Sequence, residues 1–210
     1  MRIVVIGASG GTGRQIVEQA LELGHSVTAF VREPGRLPVR HDALRIVAGN
    51  VLDPSSLAEA IRGSDAVLCA LGHKRWFYPN SILSSGTANI IDAMKNTGVR
   101  RLVCETSLGV GNSFGRLGLY YTLFVVPFIL PLYYWDKHRQ ERVIRSSGLD
   151  WVIVRPGALN NRPPRGEYRH GPDVGSWILT LGISRADVAD FMLRQLSDDT
   201  YLHSSPGVAG

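Results

Sequence analysis

The chain has 210 residues, of which 44% are hydrophobic and 20% are charged, and its formal net charge is +5. These proportions fit one globular domain over residues 1–210 and exclude a disordered or low-complexity chain. The positive charges are spread along the sequence, which argues against nucleic-acid binding and suits small anionic ligands.

The sequence disfavours a disulfide-bonded protein, a metal site and a signal peptide. Cys69 and Cys104 are the only cysteines, and both fall in predicted core strands, so we expect reduced thiols in a cytoplasmic protein. No set of His, Cys and carboxylate residues has the spacing of metal ligands, so no metal site is predicted. The sequence opens directly on a predicted strand, and we therefore expect no signal peptide.

Residues 1–36 predict a strand, a glycine turn, a helix and a second strand. The run from Arg2 to Ile6 is β-branched and apolar, as is typical of a buried strand. A glycine-rich stretch, Gly7 to Gly13, precedes a helical pattern that ends at Gly24, and Ser26 to Val31 is the next strand. Such a βαβ unit binds the pyrophosphate of a dinucleotide when glycines line its first turn.

The glycines of this turn have separate expected roles. Gly7 permits the sharp turn, Gly10 lets a phosphate approach the main chain, and Gly13 lets the helix pack on the strand. The start of the helix adds its partial positive charge. We therefore predict that the cofactor is bound by Gly7, Ser9, Gly10, Gly11, Thr12 and Gly13.

The residue after the second strand predicts which dinucleotide binds. A carboxylate at this place suits the ribose of NAD, whereas a cation suits the extra phosphate of NADP. Arg32 stands there, Arg36 follows on the next loop, and Glu33 is the only nearby acid. We therefore predict NADP(H), with Arg32 and Arg36 as contacts.

The rest of the chain alternates predicted strands with predicted helices. Strands are predicted at 44–48, 65–70, 101–105 and 151–155, and helices at 54–61, 81–96, 136–146 and from 184 onwards. This alternation indicates an α/β fold, a Rossmann-type doubly wound parallel sheet with helices on both faces. Asp53 and Ser184 are the predicted N-caps of two of the helices.

Less regular stretches carry weaker predictions. Residues 73–79 form a polar and aromatic loop, and residues 167–169 and 176–181 are short strands outside the main sheet. The tail from Ser197 is expected to be loose or to pair at a sheet edge.

The segment Leu117–Trp135 departs from this plan because it carries no charge. It is almost long enough to span a bilayer, but Pro127 and Pro131 would break its helix, and it connects two strands of one sheet. We expect an apolar lid over the substrate pocket. A self-association face and a membrane-surface patch are the alternatives.

In an open parallel sheet, the ligand lies outside the carboxyl ends of the strands. This rule selects residues that follow the later strands. They are Asn50 and Val51, expected at the adenine; Ala70; Leu71 and Gly72, expected at the ribose; Thr106 and Ser107, expected at the nicotinamide; and Pro156, Gly157 and Ala158.

Together these motifs resemble the atypical short-chain dehydrogenases, and within them the NmrA-like NAD(P)H-binding branch that includes biliverdin-IXβ reductase/flavin reductase. The resemblance is carried by residues 7–13, 31–33, 49–53, 106–107, 147–151, 155–157 and 184–189, and it extends from Met1 to about Leu196. It differs at Asn50, where that reductase has Asp.

The spacing of Tyr133 and Lys137 is the Tyr-x-x-x-Lys of catalytic short-chain dehydrogenases. Residues four apart share one face of a helix, so the tyrosine would act as an acid while the ammonium lowers its pKa and holds the nicotinamide ribose. Alternatively, Tyr133 belongs to the aromatic lid, since NmrA-like proteins commonly keep the lysine without a catalytic tyrosine. Ser107 is a third candidate, either polarising the substrate or fixing the nicotinamide amide.

These features predict an NADPH-dependent oxidoreductase that transfers hydride to a planar conjugated acceptor such as a flavin, biliverdin or a quinone. The alternative is a redox sensor that binds NADP(H) without turnover. A sugar-nucleotide epimerase is disfavoured because little chain follows the sixth strand. We expect a small-molecule substrate, no nucleic acid, and a monomer or weak homodimer, and membrane contact is disfavoured.

Overall fold

The computed structural model describes residues 1–73 and 80–210, so most of the predicted aromatic loop at 73–79 lies outside the described residues. The strands are β1 (Arg2–Ile6), β2 (Ser26–Val31), β3 (Leu44–Ala48), β4 (Ala66–Cys69), β5 (Arg101–Glu105), β6 (Asp150–Pro156), β7 (Ala158–Asn160), β8 (Arg169–Gly171), β9 (Gly182–Ser184) and β10 (Gly207–Ala209). The helices are α1 (Gly11–Glu22), α2 (Pro54–Ile61), α3 (Ile82–Thr97), α4 (Pro131–Arg145) and α5 (Arg185–Arg194). Short 3-10 helices cover Pro34–Arg36 and Gly111–Ser113, and a π-helix covers Tyr121–Ile129.

The main sheet has eight strands in the order β3-β2-β1-β4-β5-β6-β10-β8. The pairs from β3 to β10 are parallel, and β8 is antiparallel to β10. The direction in which the chain adds strands reverses between β1 and β4, which creates a crevice at the carboxyl ends of these strands. The predicted α/β class and doubly wound sheet are confirmed.

The sheet separates two apolar layers, and β1 contributes to both. Ile3 and Val5 belong to the cluster that contains the buried faces of α1 and α5. Val4 and Ile6 belong to the cluster that contains those of α2, α3 and α4. A strand covered on both faces has no polar alternation, which explains its continuous apolar run.

The predicted helix caps are present. The Asp53 carboxylate accepts a hydrogen bond from the amide of Ser55 at the start of α2. The Ser184 hydroxyl accepts one from the amide of Asp187 at the start of α5. Both helices therefore begin where the side chain satisfies an otherwise unpaired amide.

The apolar segment is partly helical, and α4 begins earlier than predicted. The helix starts at Pro131 and not near Asp136, because proline is favoured at the first helical position, where its missing N–H is not needed. Tyr133 is consequently helical. Among the described residues, no helix combines the length and the apolar character needed to cross a bilayer.

The predictions for the carboxyl-terminal part were wrong in three places. The tail is not loose, because β10 is buried in the main sheet between β6 and β8. The strand near residues 167–169 is Arg169–Gly171, and it joins the main sheet through β10. Residues 176–181 contain only an isolated bridge from Ser176 to Leu117, whereas the regular strand follows at Gly182.

The burial of β10 predicts a large effect of a charge at Val208, which is fully buried. Val208→Asp should lower the free energy of unfolding by about 3 kcal/mol or more, since a carboxyl without a partner would enter the core. Urea unfolding measures this. Ser197→Asp, on the exposed start of the tail, is the control and should change it by less than about 0.5 kcal/mol. Equal small effects would mean that the tail is not part of the sheet.

Candidate functional site

The turn after β1 brings the backbone too close to its neighbours for side chains at two glycines. Gly7 has a φ of +80°, and a Cβ there would lie 2.5 Å from the carbonyl oxygen of Ala70. A Cβ on Gly13 would overlap the carbonyl oxygen of Gly7. Only glycine fits at either position, in agreement with the sharp turn and the close helix packing expected from the sequence.

The first turn of α1 leaves its amides without a side-chain cap. Gly10 is the N-cap, no side chain accepts a hydrogen bond there, and the first turn holds no acidic residue. Gly10 and Gly11 are exposed and Ser9 is half-buried. Unpaired amides and the helix dipole therefore present a partial positive charge, and a phosphate group fits this cradle.

Arg185 lies directly over this cradle, although it is distant in sequence. A Cβ on Gly11 would lie 2.5 Å from Cδ and 2.6 Å from Nε of Arg185. The guanidinium is positioned by Asn161, whose Oδ1 accepts a hydrogen bond of 2.6 Å from Nη1. A cation therefore stands at the open end of α1. The sequence motif at 184–189 indicated a helix start and a family resemblance but no contact with the glycine turn, so this role was missed.

A buried carboxyl lies beneath the same turn. The Thr12 hydroxyl donates a hydrogen bond of 3.1 Å to Oε1 of Glu105, so this hydroxyl faces inward and not toward a ligand. Burial raises the pKa of Glu105, and Lys137, Thr12 and Arg185 only partly oppose that rise. Glu105 therefore lies buried beneath the anion-binding turn, with Lys137 and Arg185 as the nearby cations.

The two arginines predicted to read the extra phosphate are exposed beyond β2. Arg32 follows Val31 directly, and within the described ranges no carboxylate forms an ion pair with it. Arg36 lies 3.9 Å from Glu33, a long and exposed pairing. The uncompensated cation at this strand end is therefore Arg32.

The predicted adenine residues follow β3. Asn50 is exposed, and its Oδ1 accepts a hydrogen bond of 3.1 Å from the amide of Leu52. Val51 is buried, and its carbonyl accepts a hydrogen bond from Asn89 of α3. The carboxamide oxygen of Asn50 thus stabilises its own turn, which leaves the NH₂ group as its free donor.

Lys137 joins the ends of two neighbouring strands. It is 1% exposed, and its Nζ donates to the carbonyl oxygens of Glu105, at 3.2 Å, and of Leu71, at 3.5 Å. Burial would lower the pKa of Lys137, but Tyr133, Cys104 and Glu105 outweigh it, so the pKa lies above its ordinary value. An ammonium has three N–H donors, and one remains after these two contacts.

Tyr133 and Lys137 share a face of α4, as their spacing predicts, but the contact is made by the ring. Nζ of Lys137 lies 5.7 Å from the centroid of the Tyr133 ring. The same ring meets His73 edge-on, with centroids 5.1 Å apart. This is a cation–π arrangement in which the ammonium approaches the ring.

The neighbouring tyrosine, Tyr134, uses its hydroxyl to contact the residues that follow β5. Its hydroxyl lies 3.1 Å from the Ser107 hydroxyl and donates to the carbonyl oxygen of Leu108, also at 3.1 Å. Burial raises the pKa of Tyr134 to about 12, against the opposing hydrogen bond from Ser107. Tyr134 is therefore neutral at pH 7. Sequence reasoning assigned it to the lid and missed this contact.

The buried face of α4 is polar. It consists of Asp136, Lys137, Gln140 and Glu141, each at most 3% exposed. Asp136 accepts hydrogen bonds from the amides of Leu83 and Ser84, and thereby caps α3 from a neighbouring helix. Gln140 donates to the hydroxyl of Thr87, which also lies on α3.

Glu141 completes this face by holding an arginine. Arg155 donates to both of its carboxylate oxygens, at 2.8 and 2.6 Å, and the Thr106 hydroxyl donates to it at 2.9 Å. Burial would raise the pKa of Glu141, but Arg155 and Thr106 outweigh it, so the pKa lies below its ordinary value. The Thr106 hydroxyl, expected at the nicotinamide, is therefore engaged in the protein interior.

The remaining predicted residues contribute main chain. The amide of Ala70 donates to Ile6, and Gly72 is exposed at the end of β4. Pro156 and Gly157 are buried, and the amides of Gly157 and Ala158 donate to Val208 and Leu181. These backbone groups are paired within the protein, so they shape the crevice and leave few donors for a ligand.

The comparisons with known proteins agree with this arrangement. A model of the NAD(P)H-binding family matches residues 7–199. An uncharacterised chloroplastic protein of Arabidopsis thaliana is 38% identical over 204 residues, which cover 93% of this chain and 71% of that protein. YhfK of Bacillus subtilis, described as an uncharacterised sugar epimerase, is 28% identical over 204 residues, covering 94% of this chain and 89% of its own.

Solved structures share the fold. A short-chain dehydrogenase/reductase from Veillonella parvula in complex with NADP has a TM-score of 0.84 at 21% identity, with 100% of this chain and 94% of that chain covered. ChuY of Escherichia coli O157:H7, an anaerobilin reductase, has a TM-score of 0.82 at 21% identity, with 100% and 97% covered. The Rossmann-type sheet and the expected NAD(P)H-binding family are confirmed.

The buried pair formed by Arg155 and Glu141 predicts a large asymmetric effect on stability. Arg155→Met should lower the free energy of unfolding by about 3–5 kcal/mol, because Glu141 would stay buried without its partner. Arg155→Met/Glu141→Leu should recover part of that loss. Because the folded pKa of Glu141 is lowered, its contribution is present above its ordinary pKa of 4.5 and is lost as pH falls through the folded value.

The control is the exposed pair formed by Arg100 and Asp150. Arg100→Met should change the free energy of unfolding by less than about 1 kcal/mol. Urea unfolding at neutral and acidic pH measures both pairs. A cost of Arg155→Met as small as that of Arg100→Met, or one that grows at acidic pH, would contradict the assignment.

Proposed function

This chain belongs to the NAD(P)H-binding family, and we propose that it is an NADPH-dependent oxidoreductase that reduces a planar conjugated acceptor of the flavin, biliverdin or quinone class. The observation that carries the proposal is the uncapped start of α1 at the glycine turn Gly7–Gly13, together with Arg32, which has no ion-pair partner among the described residues at the end of β2. An anionic dinucleotide matches both features.

Two cations support a cofactor that carries several phosphates. Arg185 stands over Gly11 at the open end of α1, where the pyrophosphate is expected. Arg32 stands beyond β2, where the 2′-phosphate of NADP is expected. The Veillonella parvula protein of the same fold was crystallised with NADP, which supports the preference for NADP over NAD.

The acceptor end is supported by the residues that follow β5 and by α4. The third N–H of Lys137 suits a ribose hydroxyl, and Ser107 suits the nicotinamide amide or the acceptor. NADPH supplies the hydride when it is bound. Tyr134, with a pKa of about 12, is a weak acid in these surroundings, and the ring of Tyr133 is occupied by its contact with Lys137.

An acceptor that needs no strong protein acid fits this end of the crevice. A flavin, biliverdin or quinone spreads the incoming negative charge over its conjugated system, and solvent can supply the proton. Apolar and aromatic side chains of the predicted lid, among them Tyr121, Val126 and Leu130, pack beside Tyr134. A flat apolar acceptor suits such a wall, and ChuY, which has the same fold, is a reductase.

The second candidate function is a sensor that binds NADP(H) without turnover. It is favoured by the position of the Lys137 ammonium over the Tyr133 ring and by the exposed apolar residues of the segment beside the site. A sensor should bind NADP and NADPH with similar affinity and transfer no hydride. An epimerase is less favoured because the strands after β6 either join the main sheet, as β8 and β10 do, or pair with each other, as β7 and β9 do.

Stopped-flow oxidation of NADPH with FMN, biliverdin and a quinone tests the proposed reaction. We expect turnover with at least one acceptor, and little with NADH. Ser107→Ala should lower kcat by about tenfold or more if its hydroxyl contacts the reacting groups. Tight NADPH binding without oxidation by any acceptor would overturn the reductase and favour the sensor.

Separate arginine variants should distinguish the two phosphate contacts. Arg32→Ala should weaken NADPH by about tenfold to a hundredfold and leave NADH nearly unchanged, because only NADPH carries the 2′-phosphate. Arg185→Gln should weaken both dinucleotides by a similar factor, because both carry the pyrophosphate. Titration calorimetry gives the four affinities.

Arg194→Gln is the matched control, since Arg194 is an exposed arginine of the same helix as Arg185 and pairs with Asp190. It should leave both affinities unchanged. Equal loss of NADPH and NADH in Arg32→Ala would mean that Arg32 does not read the 2′-phosphate. Unchanged affinities in Arg185→Gln would remove Arg185 from the pyrophosphate site.

A further inference from the structure

The described part of the chain carries a large exposed apolar surface, which we call the apolar face. Its members are at least 40% exposed, and Phe128 and Ile178 reach 74% and 75%. The apolar face comprises Leu119, Tyr120, Leu123, Phe124, Phe128, Ile129, Trp135, Trp177, Ile178 and Leu179. Monomeric proteins rarely expose so many large apolar side chains together without a partner.

Two chain segments join to form this surface. The amide of Leu119 donates to the carbonyl oxygen of Ile178 at 3.2 Å, and Leu117 forms a bridge with Ser176. The Trp177 ring packs so closely on Gly115 that a Cβ there would overlap it. Neither residues 117–135 nor residues 174–184 contain a charged side chain. The surface is therefore continuous and uncharged.

The charges that border the apolar face leave it positive. Arg116 and Asp173 pair with each other at 3.2 Å. Asp136 of α4 is buried, where its carboxylate caps the start of α3. The guanidinium of Arg139 lies 4.7 Å from the centroid of the Trp135 ring, and in the described part of the chain no carboxylate pairs with it. A free cation beside uncharged aromatic rings suits an anionic layer.

The polar groups of the apolar face favour lipid over a protein partner. Protein–protein interfaces carry about one hydrogen bond per 100–200 Å², yet this face offers only the Tyr120 hydroxyl and the indole N–H groups of Trp135 and Trp177. The Thr122 hydroxyl is already satisfied by the carbonyl oxygen of Gly118 at 2.8 Å. At the end of the π-helix the amide of Leu130 donates to the carbonyl oxygen of Val125, and such backbone pairing suits a lipid environment.

We infer that the apolar face docks the protein on the surface of a bilayer that contains anionic lipids. Phe128 and Ile178, the most exposed members of the apolar face, enter the boundary of the acyl chains together with Phe124. Trp135 and Trp177 lie at the level of the headgroups, where amphipathic rings are favoured, and Arg139 meets the lipid phosphates. The segment lies on the membrane and does not span it.

Co-sedimentation of the full chain with vesicles tests this inference. The vesicles are phosphatidylcholine alone and phosphatidylcholine with phosphatidylglycerol, and we expect stronger binding to the anionic ones. Burial of each phenylalanine is worth about tenfold or more in affinity, so Phe124→Ser/Phe128→Ser should bind about a hundredfold more weakly. Ile178→Ser, in the other segment, should also bind more weakly by about tenfold.

Leu23→Ser is the matched control, because Leu23 is 64% exposed at the end of α1, outside the apolar face. It should bind like the unaltered chain. Arg139→Gln should lose only the preference for anionic vesicles. Circular dichroism and thermal unfolding verify that each exposed substitution leaves the fold intact.

Three results would overturn the inference. The first is an unaltered chain that ignores both vesicles and remains a monomer in analytical ultracentrifugation. The second is a dimer that Phe128→Ser dissociates and that does not bind vesicles, which would make the apolar face an interface between copies. The third is equal vesicle binding by all variants. The assay contains no dinucleotide, so its failure is separate from failure of the proposed reductase.

Discussion

The geometry of the candidate site depends on the polar face that α4 buries. Buried polar groups are stable only when they are paired, so this face constrains every element that it contacts. Asp136 caps α3, Lys137 binds the ends of β4 and β5, and Glu141 holds Arg155 of β6. One helix therefore fixes the relative positions of three strand ends and a neighbouring helix, and these strand ends line the crevice.

The glycine turn provides the second constraint, which is steric. The main chain at Gly7 and Gly13 approaches its neighbours within distances that exclude a Cβ. This close approach brings the open amides of α1 beside the end of β4, which Lys137 also contacts. The anion-binding turn and Lys137, which lies at the other end of the crevice, therefore contact neighbouring residues at the end of β4.

The apolar segment has two surfaces with different surroundings. Its inner side chains pack on Tyr134, whose hydroxyl contacts Ser107. Its outer side chains form the larger part of the apolar face, and Phe128 among them is three-quarters exposed. The inner side of this segment therefore belongs to the candidate site, and its outer side belongs to the proposed membrane contact.

The sequence by itself determined the elements whose signals are local. The apolar run Arg2–Ile6, the glycine turn and the cap at Asp53 each depend on residues within a few positions, so their strand, turn and helix could be predicted. The tertiary structure alone decided which side chains meet. Arg185 reaches Gly11, Asp136 caps α3 and β10 enters the sheet beside β6, all across long sequence separations that leave no periodic signal. Even the choice between Tyr133 and Tyr134 at Ser107 depended on where α4 begins, because a helix rotates by about 100° per residue.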